Sequence, residues 1–278
     1  MGSAIGAALI AGGAEVVTTL EGRSERTARF AREAGLEAVP DLDSVVLADV
    51  VLSVAPPDQA EAIARDVDAA AKRVGMRPLF ADLNATSPET ARRLESALDL
   101  DFVDGSVSGP PPKRAGTTRV YVSGRRAGEI AALPFSGVEV VVVGDEIGSA
   151  SAVKMCTASV YKGTAALITH ALLTAQANGV LPFVLDDLGD RAESAGQTIA
   201  NAAAKSGRYV GEMREIAATQ AAAGLPAELF EAMATVYAAL AETPLGARSP
   251  EEVDAAAKLE DLLGELTSRG GRQAPARA

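Results

Sequence analysis

Short apolar runs rich in β-branched residues alternate with amphipathic segments over the first half of the chain. The amphipathic segments, near 24–34, 58–74 and 87–98, are predicted as helices. Strands and helices in alternation predict βαβ units, with a largely parallel sheet covered by helices on both faces. The predicted strands are EVVTTL (15–20), DVVLSVA (49–55), PLFADL (78–83), DFVDGSV (101–107), RVYVSG (119–124) and VEVVVVGD (138–145).

The pattern changes after Asp145, and no further strand is predicted. Ser149 is predicted as the N-cap of a helix that extends to about Asn178, where Gly179 provides the stop. Later helices are predicted near 186–205, 208–223, 226–241 and 249–268.

These two patterns predict two domains, which a chain of 278 residues can accommodate. Residues 1–146 are expected to form an α/β domain with a Rossmann-type doubly wound sheet. Residues 147–268 are expected to form an all-helical domain. Residues 269–278, made mostly of Gly, Arg, Pro and Ala, are expected to be a disordered tail.

In a dinucleotide-binding domain, a strand and a G-x-G turn are expected to precede the first helix. An apolar segment, 2–14, is interpreted as a helix, yet no strand and no G-x-G turn precede it to bring backbone amides to a pyrophosphate. Met1 and Gly2 match the end of a G-x-G-x-M-G fingerprint, with Gly2 as its third glycine; a plain small-residue helix start is the alternative. We expect the natural protein to begin roughly ten residues upstream, and this chain to bind its dinucleotide poorly, because the first strand is central in such a sheet.

Arg23 and Ser24 follow the 15–20 strand, where such a domain recognises the adenosine ribose of its cofactor. An acidic residue there would accept a hydrogen bond from a free 2′-hydroxyl, whereas arginine with serine suits a 2′-phosphate. Glu21 lies two residues too early for the acidic role. NADP is therefore expected rather than NAD, and the alternative is a solvated helix start that Ser24 caps.

The net charge and the cysteine count of the chain limit which partners it can have and in which compartment it is expected. A net charge of -11 and a pI near 4.7 disfavour nucleic acid or an anionic membrane as the main partner. The single cysteine, Cys156, excludes an intrachain disulfide and a zinc site built on thiolates, so no metal is expected and a cytoplasmic location is the default. No apolar run approaches the roughly 20 residues that a membrane span needs.

Six motifs in order resemble the β-hydroxyacid dehydrogenase superfamily, in particular 6-phosphogluconate dehydrogenase-like oxidoreductases with a short helical C-terminal domain. The resemblance covers nearly the whole chain. The motifs are GRSERTARFAREAG (22–35), LSVAPP (52–57), ADLNATSPET (81–90), FVDGSVSGPPP (102–112), SASAVKMCTASVYKGTAAL (149–167) and RYVGEMREIAAT (208–219).

The resemblance implies binding roles for several loops. Val54, Ala55 and Pro56, in the loop that ends at Pro57, would lie along the nicotinamide ribose, and Asn84 takes the place of a serine that sits near the nicotinamide carboxamide. In the 106–109 segment, the family's substrate-binding stretch, Ser108 and the Gly109 amide would hold a carboxylate or another polar substituent. The family's next glycine is Pro110 here, so one backbone donor is lost, and a polar group other than the family's usual carboxylate is the alternative ligand.

Lys154 matches the catalytic lysine of the family, which exchanges a proton with the hydroxyl or carbonyl oxygen during hydride transfer. No acidic residue occurs from Ser149 to Leu185, so this lysine has no carboxylate partner on its own helix. Burial without such a partner would lower the pKa of Lys154 toward neutrality, which suits general acid/base catalysis. Thr157 and Tyr161 share its helix face and are expected to orient it or the substrate. A surface lysine with its stem on the helix is the alternative reading.

The other reactive side chains of the helical half are given structural roles. His170 is sixteen positions beyond Lys154 and falls on the opposite helix face, and Cys156 is expected to be a small buried hydrophobe. Arg208 and Arg214 are weak candidates for substrate contacts, and solvated helix positions are the alternative.

The sequence therefore predicts an NADP-dependent oxidoreductase that acts on a small polar hydroxy or carbonyl compound, with Lys154 as general acid/base. Imine reductases share this architecture and are one alternative, although the lysine favours carbonyl chemistry. A degenerate NADP-binding module without catalysis is the other. It is favoured by the missing strand, by Pro110 and by Thr157, which stands where the family usually has an asparagine. A homodimer is expected because the 149–178 helix is apolar around most of its circumference.

Overall fold

The computed structural model describes residues 1–112, 116–254 and 257–267. The chain divides into two compact units, Met1–Met155 and Cys156–Ala278. The predicted tail, 269–278, lies outside the described residues.

The first unit alternates strands with helices, as the sequence predicts. All six predicted strands are present, and each ends within two residues of its predicted bounds. The strands are β1 (Val17–Thr19), β2 (Glu37–Val39), β3 (Val50–Ser53), β4 (Leu79–Asp82), β5 (Phe102–Ser108), β6 (Thr118–Ser123) and β7 (Val138–Gly144). The helices are α1 (Gly2–Ala11), α2 (Glu25–Glu33), α3 (Leu42–Val45), α4 (Ala60–Val74), α5 (Pro88–Ala97) and α6 (Ala127–Ala131).

The strands form two separate sheets within this unit. One is the parallel pair β1–β2, and the other has the order β3-β4-β5-β6-β7. The five-stranded sheet is parallel except where β5 pairs antiparallel with β6. A doubly wound sheet places its first strand between the strands that correspond to β1 and β3. Within the described residues no strand occupies that position, and β1 and β3 each pair with a single neighbour.

Two apolar cores cover the two faces of the five-stranded sheet, as expected for a sheet buried on both sides. Phe80 packs into one core with residues of α4 and α5, such as Val67 and Leu94. Its neighbour Leu79 faces the other core, which includes Leu9 of α1. The alternation along β4 follows from the two-residue repeat of a strand.

The parallel strands bring their carboxyl ends to one edge of the sheet. Ser53 of β3 pairs with Asp82 of β4, and Asp82 pairs with Asp104 of β5. The loops that follow β3 and β4 therefore start side by side. The loop after β4 ends at a capped helix, since Ser87 accepts a hydrogen bond from Thr90 N at the start of α5.

All regular secondary structure among the described residues of the second unit is helical. The long helix α7 (Ser149–Ala177) crosses the unit boundary and stops where predicted, because Gly179 adopts a φ of 70° and Val180 N donates to Ala175 O. The other helices are α8 (Leu181–Leu188), α9 (Asp190–Glu193), α10 (Ala195–Ala203), α11 (Ser206–Ala222), α12 (Glu228–Ala241) and α13 (Leu259–Thr267).

Two predicted helices differ from the structure. The helix predicted over 186–205 is three pieces, because it is interrupted at Gly189, with φ 51° and ψ −130°, and again at Ser194, with φ −95° and ψ 6°. The helix predicted over 249–268 begins only at Leu259. Ser249 does bind Glu252 as an N-terminal motif would, with both its N and its Oγ donating to that carboxylate, but the turn ends there.

A buried ion pair links three helices of the second unit. Lys162 of α7 pairs with Glu212 of α11, whose side chain is 5% exposed, and Arg208 also binds Glu212. The Tyr237 hydroxyl of α12 donates to Lys162 O at 2.7 Å. These contacts satisfy a buried carboxylate that would otherwise be costly. No helix in the described ranges is long and apolar enough to cross a membrane.

Candidate functional site

Lys154 lies in the second turn of α7 and reaches the last residues of β5. The side chain is half-buried, and its Nζ donates a hydrogen bond to Val107 O at 2.8 Å. The structure therefore brings the predicted acid/base residue to the predicted substrate-binding segment. The backbone carbonyl of Val107 thus fixes the position of the amine at the end of β5.

Gly109, just after β5, lies very close to the backbone of Thr117, just before β6. Gly109 has a φ of 100°, and a Cβ on it would lie only 2.3 Å from Thr117 O. Beyond it, Thr118 Oγ1 donates to Pro110 O at 2.6 Å. The glycine is thus required by the close approach of two backbone segments, in addition to any contact of its amide with a ligand. Ser108, just before it, is half-buried at the end of β5.

Asn84 ties the loop after β4 to the loop after β3. Its Oδ1 accepts from Ala55 N at 2.5 Å, and its Nδ2 donates to Ser53 Oγ at 2.8 Å and to Asp82. Both amide protons are engaged inside the protein, and the side chain is only 2% exposed. Asn84 therefore holds the Val54–Pro56 loop in place. Its Nδ2 has no proton left for a ligand, so only its Oδ1 could accept a further hydrogen bond.

The start of α1 lies against the same loop. A Cβ on Gly2 would be 3.5 Å from Val54 Cβ, which is ordinary contact. No side chain within the described ranges caps this helix at Met1. The structure thus places Gly2, Val54, Ala55 and Asn84 together, at the carboxyl ends of β3 and β4, where open α/β sheets bind ligands.

Arg23 and Ser24 lie between β1 and α2. Ser24 is the N-cap of α2, since its Oγ accepts from Thr27 N at 3.3 Å. The structure thus shows the local role that the sequence offered as the alternative for Ser24. The Arg23 side chain is exposed, and none of the ion pairs seen in the described part of the chain involves it.

Thr157 and Tyr161 continue along α7 from Lys154 at helical spacing. Thr157 is half-buried, and Tyr161 is 76% exposed. Their roles toward a substrate stay predictions. Cys156 was expected to be buried, and this is wrong, because it is exposed on the helix beside the buried Met155. Arg208 holds Glu212, as described above, and Arg214 is exposed.

Similarity to known proteins identifies the family of this chain. Residues 175–240 match a family described as Domain of unknown function (DUF1932). The chain is 30% identical over 214 residues to a 3-hydroxyisobutyrate dehydrogenase of Pseudomonas aeruginosa, an alignment that covers 72% of this chain and 70% of the relative. The chain belongs to the β-hydroxyacid dehydrogenase superfamily. It is thus a member of an oxidoreductase family.

Solved structures agree with this superfamily. One is a conserved protein of unknown function described as similar to 3-hydroxyacid dehydrogenases; it is 30% identical, with a TM-score of 0.63 over 89% of this chain and 95% of that one. Another, a 3-hydroxyisobutyrate dehydrogenase of Mycobacterium tuberculosis, is 22% identical, with a TM-score of 0.65 over 96% of both chains. The latter likeness supports the β-hydroxyacid dehydrogenase fold.

Sequence reasoning missed two buried aspartates in this β-hydroxyacid dehydrogenase homologue. Asp82 and Asp104 are each 1% exposed and pair across β4 and β5. Burial and the neighbouring Asp104 raise the pKa of Asp82 to about 7. Burial also raises the pKa of Asp104, against hydrogen bonds from Ser151 that lower it. A signal was available for Asp82, because it is an acid at the end of an otherwise apolar strand.

Proposed function

We propose that this protein is an NADP-dependent oxidoreductase that transfers hydride between the nicotinamide and a small polar hydroxy or carbonyl compound. The observation that carries the proposal is the hydrogen bond from Lys154 Nζ to Val107 O, beside Ser108. That contact puts an amine next to a segment whose polar groups suit a small anionic or hydroxylated substrate. The Pseudomonas relative, named for a 3-hydroxy acid, supports the same substrate class.

The residues present fit a dinucleotide. The uncapped N-terminus of α1 suits a pyrophosphate, since its first backbone N–H groups and the helix dipole favour an anion. Thr86 Oγ1, in the loop that contains Asn84, is buried and lacks a hydrogen-bond partner among the described residues, so it suits a polar ligand group. Arg23 offers a guanidinium to a 2′-phosphate, which favours NADP over NAD.

Lys154 can serve both directions of the reaction. The bound cofactor supplies or accepts the hydride. As a neutral amine, Lys154 has a lone pair that can accept the proton of a substrate hydroxyl while an N–H donates to Val107 O. As an ammonium ion it can give that proton to a substrate carbonyl oxygen. General acid/base catalysis of this kind contributes roughly 10²–10⁴-fold.

We also propose that the protein is a homodimer that associates through its helical unit. Val160, Tyr161 and Leu167 of α7 are 65%, 76% and 62% exposed, and Phe183 of α8 is 75% exposed. Large exposed apolar residues on neighbouring helical turns favour association, because a monomer rarely leaves such a surface in water. A second copy of the same surface would bury it.

A substrate panel tests the proposed reaction. NADPH oxidation is followed with small aldehydes, 2- and 3-oxo acids and cyclic imines, for the wild type and for Lys154→Ala. Lys72→Ala is the matched control, because Lys72 is an exposed lysine of α4 away from the site. We expect turnover of an oxo compound that Lys154→Ala loses and Lys72→Ala keeps. Turnover of imines alone, or of nothing in the panel, would contradict the proposed substrate class.

A further inference from the structure

A buried carboxylate on β5 binds the start of the helix that carries Lys154. Asp104 Oδ2 accepts from Gly148 N and Ser151 N at 3.0 Å each, and from Ser123 Oγ at 2.9 Å. Its Oδ1 accepts from Ser151 Oγ at 2.6 Å. Gly148 O accepts the first intrahelical bond, from Ala152 N, so Gly148 is the cap position. The prediction that Ser149 caps α7 is wrong, because the acceptor comes from a strand.

A second set of bonds joins the same strand and helix. Ser106 Oγ donates to Ala150 O at 3.0 Å, and Ala150 N donates to Ser123 Oγ at 3.0 Å. Ser106 and Ser123 are both fully buried. The first turn of α7 therefore has its backbone groups bound by side chains of β5 and β6, which leaves it little freedom to slide or fray.

These contacts form a closed loop with Lys154. Asp104 binds Ser151, Lys154 follows Ser151 by three residues on α7, and Lys154 Nζ returns to Val107, three residues beyond Asp104 on β5. Three residues of strand span about 10 Å. The carboxylate and the amine are thus attached to opposite ends of one short, rigid stretch of β5.

We propose that Asp104 is a positioning residue that fixes the register of α7 on β5 and thereby sets the position and the charge state of the Lys154 amine. This inference rests on the proposed function, in which Lys154 exchanges the substrate proton. Asp104 itself does not touch the substrate. Its carboxylate satisfies donors of the helix start, and its negative charge favours the ammonium form of Lys154.

Asp104→Asn tests the inference, because asparagine keeps the size of the side chain while it removes the charge and replaces an acceptor with a donor. Asp68→Asn is the matched control: Asp68 is also buried and accepts a backbone hydrogen bond, from Asp99 N at 3.0 Å, but it lies on α4. Both variants are expected to lose stability. Only Asp104→Asn is expected to alter Lys154.

The first readout needs neither cofactor nor substrate. The six lysines are reductively methylated with ¹³C, the Lys154 signal is assigned from its loss in Lys154→Arg, and its titration is followed by NMR. Asp104→Asn should lower the pKa of Lys154 by about one pH unit, the size expected for loss of a unit charge roughly 10 Å away. An unchanged Lys154 titration in folded Asp104→Asn would overturn the inference.

The second readout is the split between kcat and KM. Asp104→Asn should lower kcat by roughly 10- to 100-fold, as expected for a displaced catalytic group, with KM changed less than about threefold. Asp68→Asn should leave both near the wild type. If Asp104→Asn does not fold, Ser151→Ala is measured instead, because it removes only the 2.6 Å hydrogen bond from Ser151 Oγ to Asp104 Oδ1. A kcat lower by about threefold or more supports the inference, and an unchanged kcat overturns it.

The two hypotheses fail in different ways. If Lys154→Ala keeps wild-type turnover, the proposed function is wrong, whatever the NMR titration shows. If Lys154→Ala is inactive but Asp104→Asn matches Asp68→Asn in both readouts, Lys154 is catalytic and Asp104 is only structural.

Discussion

The Nζ of Lys154 donates to the carbonyl oxygen of Val107 at 2.8 Å. This bond, within the first unit, joins the second turn of α7 to the last residues of β5. Because the acceptor is a backbone carbonyl rather than a carboxylate, it positions the amine without forming an ion pair with it. A lysine that must alternate between neutral and charged forms is best held in this way.

The preference for NADP is expected to depend on Arg23. NADPH should bind at least about tenfold more tightly than NADH, a difference of about 1.4 kcal/mol that one charge-assisted contact with the 2′-phosphate can supply. Arg23→Asp should erase or reverse this preference in fluorescence titrations. Arg32→Asp is the control, because Arg32 is another arginine nearby in sequence but lies in the last turn of α2, the helix that follows Arg23. Equal affinities of the wild type for the two cofactors would refute the assignment of Arg23.

Asp82 should make the stability of the protein depend on pH. Its pKa is about 7 when folded, above its ordinary value of 3.8, so between these values the folded protein binds one more proton than the unfolded chain. The free energy of unfolding should therefore fall as pH rises from about 4 to 7, by at most about 1.4 kcal/mol per pH unit, and level off above that.

Asp82→Asn should remove this slope. Asparagine is neutral at every pH, and its Oδ1 can still accept from Asn84 Nδ2. Urea unfolding at pH 5, 6, 7 and 8 measures the difference in the free energy of unfolding between variant and wild type, in which titrating groups that do not interact with Asp82 cancel. The variant should gain stability relative to the wild type as pH rises. Parallel profiles for the two proteins would show that Asp82 is ionised throughout.

The proposed homodimer depends on exposed apolar residues of α7. Leu167→Glu should shift the mass measured by light scattering at micromolar concentration from dimer to monomer, because a charge buried in an interface without a partner is costly. Leu47→Glu is the matched control, since Leu47 is 59% exposed and Leu167 62%, but Leu47 lies in the first unit. A monomeric wild type would count against the dimer.

The sequence predicts the first unit well because its local signals agree with its packing. Ser24 and Ser87 mark helix starts that the structure confirms, and buried strands such as 79–82 are continuous apolar runs. The strand Glu37–Val39 was not predicted, because it has three residues, two of them exposed, and no apolar pattern. The structure of the second unit was less predictable, since Gly189 breaks an otherwise uniform helical pattern.

The sequence predicted which residues lie in the site but not the hydrogen bonds between them. Lys154 and the 106–109 segment do come together, but the bonds of Asn84 to Ser53 and Asp82 depend on strand register, which no local pattern gives. Asp104 was missed for the same reason, because its partners are 44 and 47 residues away in sequence. Long-range pairing determines how a side chain is used, whereas local pattern shows only which side chain is present.

The role of Lys154 is tested most directly by chemical rescue. Lys154→Ala should lower kcat by at least about 100-fold with the best oxo substrate, and added ethylamine should restore part of that loss in proportion to its concentration and its unprotonated or protonated fraction. Rescue by an amine shows that the missing function is proton transfer at the position that Lys154 Nζ occupies beside Val107. Wild-type turnover by Lys154→Ala without any added amine would contradict the account.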